Sequence, residues 1–116
     1  MTKLLKDEDR LRHMLDAAET VLKFTAEKKR LDLDTDEKLA LALVRLLEVI
    51  GEAARHVSEE TCRRFPEIPW KEIAGTRDRL VHGNFDVDLE IVWQITTRDL
   101  PPLIKELKKT LKTKKP

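Results

Sequence analysis

Cysteine, glycine and tyrosine are nearly missing from this chain: its 116 residues hold one Cys, three Gly and no Tyr. With Cys62 alone no internal disulfide can form, which suits a reducing compartment. The few glycines form no Gly-rich phosphate loop, and no Ser–His–Asp spacing stands out. His13 and His56 have no Cys or His at ligand spacing, so neither a metal site nor a cofactor is expected. The longest apolar run, Leu39 to Val44, stops at Arg45, far short of a membrane span. The opening MTKLLKDEDR lacks the apolar core and small-residue cleavage site of a signal peptide, so a cytoplasmic protein is expected. A surplus of charge is also missing. Lys and Arg number 23 against 22 Asp and Glu, and a net charge of +1 does not announce a polyanion partner. The one local excess is C-terminal, where Lys105, Lys108, Lys109, Lys112, Lys114 and Lys115 face Glu106 alone. A solvated helix end that complements the helix dipole is favoured there over a nucleic-acid tail.

What remains is helix-forming sequence. The length fits a single domain over residues 1–116, with residues 105–116 as its basic helix end and tail. Leu11, Met14, Leu15, Ala18, Val21, Leu22 and Thr25 recur at helical spacing and predict a first helix from about Lys6 to Lys28. Leu31 to Asp36 reads as a connector, with Asp34 or Thr35 able to cap a long helix from about Asp36 to Arg64. In that helix Leu39, Leu43, Leu46, Leu47, Ile50 and Ala54 suit a core. Leu41, Val44 and Val49 are left on other faces, and Gly51 with Ala53 and Ala54 permits close helix approach, so self-association is expected. Pro66 and Pro69 end the helix, and Pro69 can open a short one carrying Trp70 and Ile73. A helical segment is predicted over Gly75 to His82, stopped by Gly83. Asp86 or Asp88 can cap a last helix from Leu89, which Pro101–Pro102 should bend or restart. The fold class is all-α, an up-and-down bundle of four to five helices, expected as a homodimer.

Chemistry concentrates between Arg77 and His82. On a continuous helix Asp78 and His82, four apart, share a face, so the carboxylate orients the imidazole and favours its cation. Arg77 and His82, five apart, lie about 140° from each other on such a helix, which suits a cleft or a groove shared with a second copy. Histidine moves protons near neutral pH, and the arginine fork matches a phosphate. Together they are a minimal set for cleaving an RNA phosphodiester without a metal. Taken alone, an Arg and a His at this spacing fit an ion-paired helix end better than a catalytic pair. Arg79 and Lys71 are further candidates for phosphate binding. Arg55, Arg63 and Arg64 either extend a positive surface or are a solvated helix face. Cys62 reads as a small hydrophobe, and Trp70 and Trp93 as packing residues.

The order of elements decides between these readings. VRLLEVIGEAARHVS, then FPEIPWKEIAGTRDRLVHGNFDVD, then VW and a closing LPPL helix resemble the HEPN superfamily, specifically the HepT-like toxins encoded beside minimal nucleotidyltransferases. The resemblance runs from the first helix to about Leu111. The family signature is Arg, a polar residue, three more residues, then His; here Arg77, Asp78, Arg79–Leu80–Val81, His82. It implies a helical dimer in which Arg77 and His82 are the catalytic pair of a metal-independent endoribonuclease. Asp78 supports the site, RNA is the substrate, and the cognate nucleotidyltransferase is the antitoxin. Many HepT-like toxins also carry, two residues after the His, a Tyr that the antitoxin modifies with AMP. Asn84 stands there and the chain has no Tyr, which excludes that modification. An Asn still donates and accepts hydrogen bonds. The alternative reading is a non-catalytic helical subunit that holds nucleotide or RNA for a nucleotidyltransferase.

Overall fold

A computed structural model describes residues 2–82 and 86–114, and the side chains of 7–81 and 86–113. The chain folds as α-helices packed on one hydrophobic core, as the composition requires. Three long rods carry most of it: α1 (Thr2–Thr25), α3 (Glu37–Arg55) and a continuous helical path formed by α7 (Leu89–Gln94), a π turn (Ile95–Asp99) and α8 (Leu100–Lys114). Between them lie the short helices α2 (Arg30–Thr35), α4 (Glu59–Arg64), α5 (Trp70–Ala74) and α6 (Thr76–Leu80). A two-residue antiparallel ladder, β1 (Val81–His82) with β2 (Asp86–Val87), follows α6.

The stripe that predicts α1 is buried as expected. Leu11, Met14, Ala18 and Val21 pack into the core with Leu43, Leu47, Ile50 and Ala54 of α3. Each large side chain so buried contributes about 1.5–3 kcal/mol relative to exposure. The surplus apolar face of α3 is narrower than the sequence suggests. Val44 and Val49 are half-buried against the core, and only Leu41 stands out, at 62% exposure.

The first helix, expected over about Lys6 to Lys28, runs from Thr2 to Thr25, and four further differences have a local reason. The predicted connector at residues 31–36 is helical instead: Asp32 accepts the Lys29 amide at 2.6 Å and starts α2. Asp36, not Asp34 or Thr35, caps α3 by accepting the Leu39 amide at 3.1 Å. The long second helix breaks at His56–Ser58, because Ser58 accepts the Thr61 amide at 3.3 Å and so begins α4 as a new N-cap. Asp7 of α1, 3% exposed, fixes that break. Its carboxylate accepts the Ser58 amide at 3.0 Å, the Ser58 hydroxyl at 2.6 Å and the Thr61 hydroxyl at 2.6 Å.

The fourth difference concerns Pro101–Pro102: the helical path runs on through them, but as a new α segment that starts at Leu100 after a π turn. The prolines sit in the first turn of α8, directly after the π turn, and remove two amide donors from the helical path there. The π turn before them is wider than an α turn, and the Leu100 amide donates back five residues to the Ile95 carbonyl. That widening relieves the clash between a proline ring and the carbonyl four residues earlier. The basic C-terminal stretch continues as helix, with Lys108 paired to Glu19 of α1 at 3.2 Å and Lys109 to Glu106 at 3.8 Å. Among the described residues no helix is long and apolar enough to cross a membrane.

Candidate active site

The Arg77 segment is held against the centre of α3 by a glycine. Gly51 is buried, and a Cβ built there falls 3.0 Å from the Ile73 carbonyl oxygen and 3.3 Å from the Thr76 Cβ. Small residues at this position let α5 and α6 lie directly on α3, as the Gly51–Ala54 pattern implies. Gly51→Val is therefore expected to destabilise the fold by about 1–3 kcal/mol through overpacking against backbone that cannot yield. Denaturant midpoints of the two proteins check this, and equal midpoints refute the close approach.

α6 itself is anchored from within. Thr76 and Leu80, one turn apart, are buried, and the Thr76 hydroxyl donates to the Ile73 carbonyl at 2.6 Å. The helix stops at Leu80, whose carbonyl accepts the Asp88 amide at 2.7 Å and closes the hairpin. This corrects the continuous helix expected from Gly75 to His82. Val81 has extended backbone (φ −114°, ψ 122°), and His82 pairs with Asp86 across the ladder. The helical-wheel relations of His82 with Asp78 and Arg77 consequently do not hold: β-branched Val81 leaves the helix one residue before the histidine. The side chain of His82, and Gly83, Asn84 and Phe85 entirely, lie outside the described residues.

Arg77 and Arg79, two apart and about 200° around a helix, flank α6 on opposite sides. Arg77 is exposed and lines a cleft of about 280 Å³ with Arg45, Glu48, Gly51, Glu52 and Arg55 of α3 and Ala74 of α5. No hydrogen bond or ion pair engages its guanidinium among the described residues. Arg79 lines a second cleft of about 290 Å³, floored by Leu47, Ile50, Ile73 and Leu103. Both of its Nη atoms donate to Asp99 of the π turn at 3.4 Å. Arg79 thus ties α6 to the third rod and is not brought together with Arg77. Asp78 is exposed and makes no bond among the described residues, and Lys71 is exposed on α5 and lines neither cleft.

The remaining candidates fall where packing places them. Trp70 is half-buried and donates its indole N–H to the Phe65 carbonyl at 3.0 Å, while Trp93 packs against the core. Burial, with Asp7 and Glu59 nearby, pushes the Cys62 thiol up, which disfavours the nucleophilic thiolate. His56 pairs with Glu52 at 3.0 Å. No group of three or more His, Cys, Asp or Glu among the described residues is placed to hold a metal ion.

One feature of this cleft escaped sequence reasoning. Arg45 read only as the end of an apolar run, whereas Arg55 read as either an extension of a positive surface or a solvated helix face. Their signal is Arg45–Glu48–Glu52–Arg55, spaced three, four and three, which puts all four on one face of α3.

Comparison with known proteins identifies the relatives of this chain. The profile of a family described as ribonuclease HepT-like matches residues 14–110. A Thermococcus cleftensis protein named as a probable ribonuclease HepT is 38% identical over 96 residues, covering 83% of this chain and 87% of that protein. A Caldanaerobacter subterraneus protein named as an RNase is 36% identical over 105 residues, or 90% of this chain and 94% of its own length. A Methanocaldococcus jannaschii protein, also named as an RNase, is 34% identical over 94 residues, covering 81% and 86% respectively. No solved structure matched. With 97 consecutive residues inside the profile, the chain belongs to the HepT-like ribonuclease family.

Proposed function

We propose that the protein is a metal-independent endoribonuclease whose catalytic pair is Arg77 and His82, working in a cleft completed by a second copy of the chain. The observation that carries this reading is Arg77 itself, an exposed guanidinium without a protein partner among the described residues, in a cleft of a HepT-like chain. An arginine held for structure is normally paired, as Arg79 is here. One left open to solvent beside a cleft offers its fork to an anion.

The reaction balances without a metal. His82 takes the proton of a ribose 2′-hydroxyl, and the 2′-oxygen attacks the adjacent phosphorus. The bond to the 5′-oxygen breaks, leaving a 2′,3′-cyclic phosphate, and the departing oxygen receives a proton from an imidazolium. Arg77 stabilises the charge gathered on the phosphoryl oxygens. Two copies of His82 over one cleft supply base and acid together. Single-stranded or looped RNA is the substrate class, because its backbone is free to reach the in-line geometry.

Apolar surface for the second copy is available at one end of the molecule. Phe24 near the end of α1, Leu31 of α2 and Leu41 in α3 are 42%, 66% and 62% exposed. We further propose that the protein is a toxin silenced by a nucleotidyltransferase antitoxin. The absence of Tyr leaves direct binding, or modification at another residue, as the means.

The decisive experiment incubates the purified protein with single-stranded RNA in chelator, beside RNA carrying 2′-deoxyribose throughout. Cleavage of the first only, with cyclic phosphate termini, is expected. Cleavage of both removes the 2′-hydroxyl from the mechanism. Absence of cleavage, with nucleotide or RNA still bound and no growth toxicity on expression, favours the second reading that the missing Tyr supports: a non-catalytic binding subunit of a nucleotidyltransferase.

A further inference from the structure

The cleft that holds Arg77 extends beyond a two-residue catalytic centre. Arg45 and Arg55 line the same cleft from α3. Ten residues apart, they are separated by about 15 Å along the helix axis. That is about four phosphates of a stacked strand at about 3.4 Å each, so side chains extended outward from these positions meet different phosphates. Like Arg77, neither has a hydrogen bond or ion pair among the described residues. Among the other arginines, Arg12, Arg30, Arg63 and Arg79 are paired with carboxylates and Arg64 lies 5.4 Å over the Phe65 ring, while Arg10 and Arg98, likewise without a partner among the described residues, lie outside this cleft.

The two carboxylates in the cleft do not neutralise them. Glu52 is engaged by His56 at 3.0 Å, and Glu48 is the only other acid in the lining. The floor is kept low by small residues, with Gly51 and Ala74 between the charged side chains. The result is a groove with three unpartnered forks, two of them about 15 Å apart along the helix axis at their backbones, and this length suits an extended polyanion.

We propose that Arg45 and Arg55 seat backbone phosphates of single-stranded RNA along α3, on either side of the phosphate held by Arg77, so that the footprint spans several nucleotides. This rests on the RNA-substrate reading above and adds the path the strand takes. Glu48 and Glu52 break up the positive face, so only a strand with phosphates at the arginine positions gains from it. They also account for a binding groove in a chain of net charge +1.

The test uses the full chain in a His82→Ala background, so that a single-stranded 12-nucleotide oligouridylate probe stays intact. Affinity is measured against potassium chloride concentration. Arg45→Gln and Arg55→Gln together are expected to flatten the plot of log affinity against log salt by about 1.4, or about 0.7 per lost phosphate contact, and to weaken binding at least about tenfold at low salt. Arg12→Gln, the loss of one charge on α1, is expected to leave the slope unchanged. In the chain with His82 intact, the double variant is expected to raise KM and leave kcat unchanged. Both arginines are exposed, and matching thermal unfolding curves check that the variants remain folded.

The outcomes separate the two readings. If the wild type cleaves and the double variant binds with the parent's slope and affinity, the path along α3 is wrong and the nuclease stands. If binding depends on Arg45 and Arg55 but no variant cleaves, the nuclease reading fails and the path stands. If the parent does not bind the probe at all, the path is overturned.

Discussion

Replacing His82 with alanine is expected to slow RNA cleavage by about a hundred- to ten-thousand-fold, the usual contribution of a positioned proton-transfer group. Arg77→Ala is expected to cost about a hundred- to a thousand-fold, the effect of losing one preorganised group facing the developing charge. Arg77→Lys should recover little, because an ammonium keeps the charge but not the two-pronged geometry. Single-turnover rates with enzyme in excess are the appropriate measurement, since they separate chemistry from binding and product release. Wild-type rates in either alanine variant would remove that residue from the mechanism. Mixing the two inactive proteins adds information on assembly. A mixed dimer holds one intact Arg77 and one intact His82, on different copies, so regained activity would mean that the pair works across the dimer and that one histidine suffices for both proton transfers. If both histidines are needed, or if each pair acts within one chain, no mixture regains activity.

The second large effect concerns a side chain outside the cleft lining. Asp7→Ala is expected to destabilise the fold by about 3–5 kcal/mol, because it removes three hydrogen bonds to a buried carboxylate and leaves their donors without an acceptor. A domain of this size has only about 5–15 kcal/mol in total, so a large share of its stability is at stake. The carboxylate is 3% exposed and joins the start of α1 to the break between α3 and α4. Ser58→Ala tests a smaller part of the same arrangement and is expected to cost about 1 kcal/mol, the usual value of an N-cap. Urea unfolding of the three proteins checks both values. An Asp7→Ala protein as stable as the parent would mean that water replaces the carboxylate without loss.

The sequence made the all-helical core legible because burial follows a period that the spacing of apolar residues reveals. Leu11, Met14, Ala18 and Val21 on one helix, and Leu43, Leu47, Ile50 and Ala54 on the next, are buried as their spacing implies. It was less informative at helix ends, where one hydrogen bond decides. Ser58 inside a strongly helical stretch could be a solvent-facing residue or a cap. The choice is made by Asp7, 51 residues earlier, which no local pattern can show. At the site, Arg77 and His82 stand out by residue type, yet their geometry was misread because Val81 already has strand backbone. Arg45 and Arg55 were visible only as charges until α5 and α6 were seen lying across α3 beside them.

The π turn at Ile95–Asp99 gives the third rod a constraint on length as well as composition. Asp99, its last residue, is the anchor for both Nη atoms of Arg79, and through Arg79 for α6. Losing or gaining one residue in that turn would swing Asp99 about 100° around the rod, away from the guanidinium it holds. A relative with a one-residue insertion or deletion there must either re-pair Arg79 with another acid or let α6, and Arg77 with it, settle elsewhere.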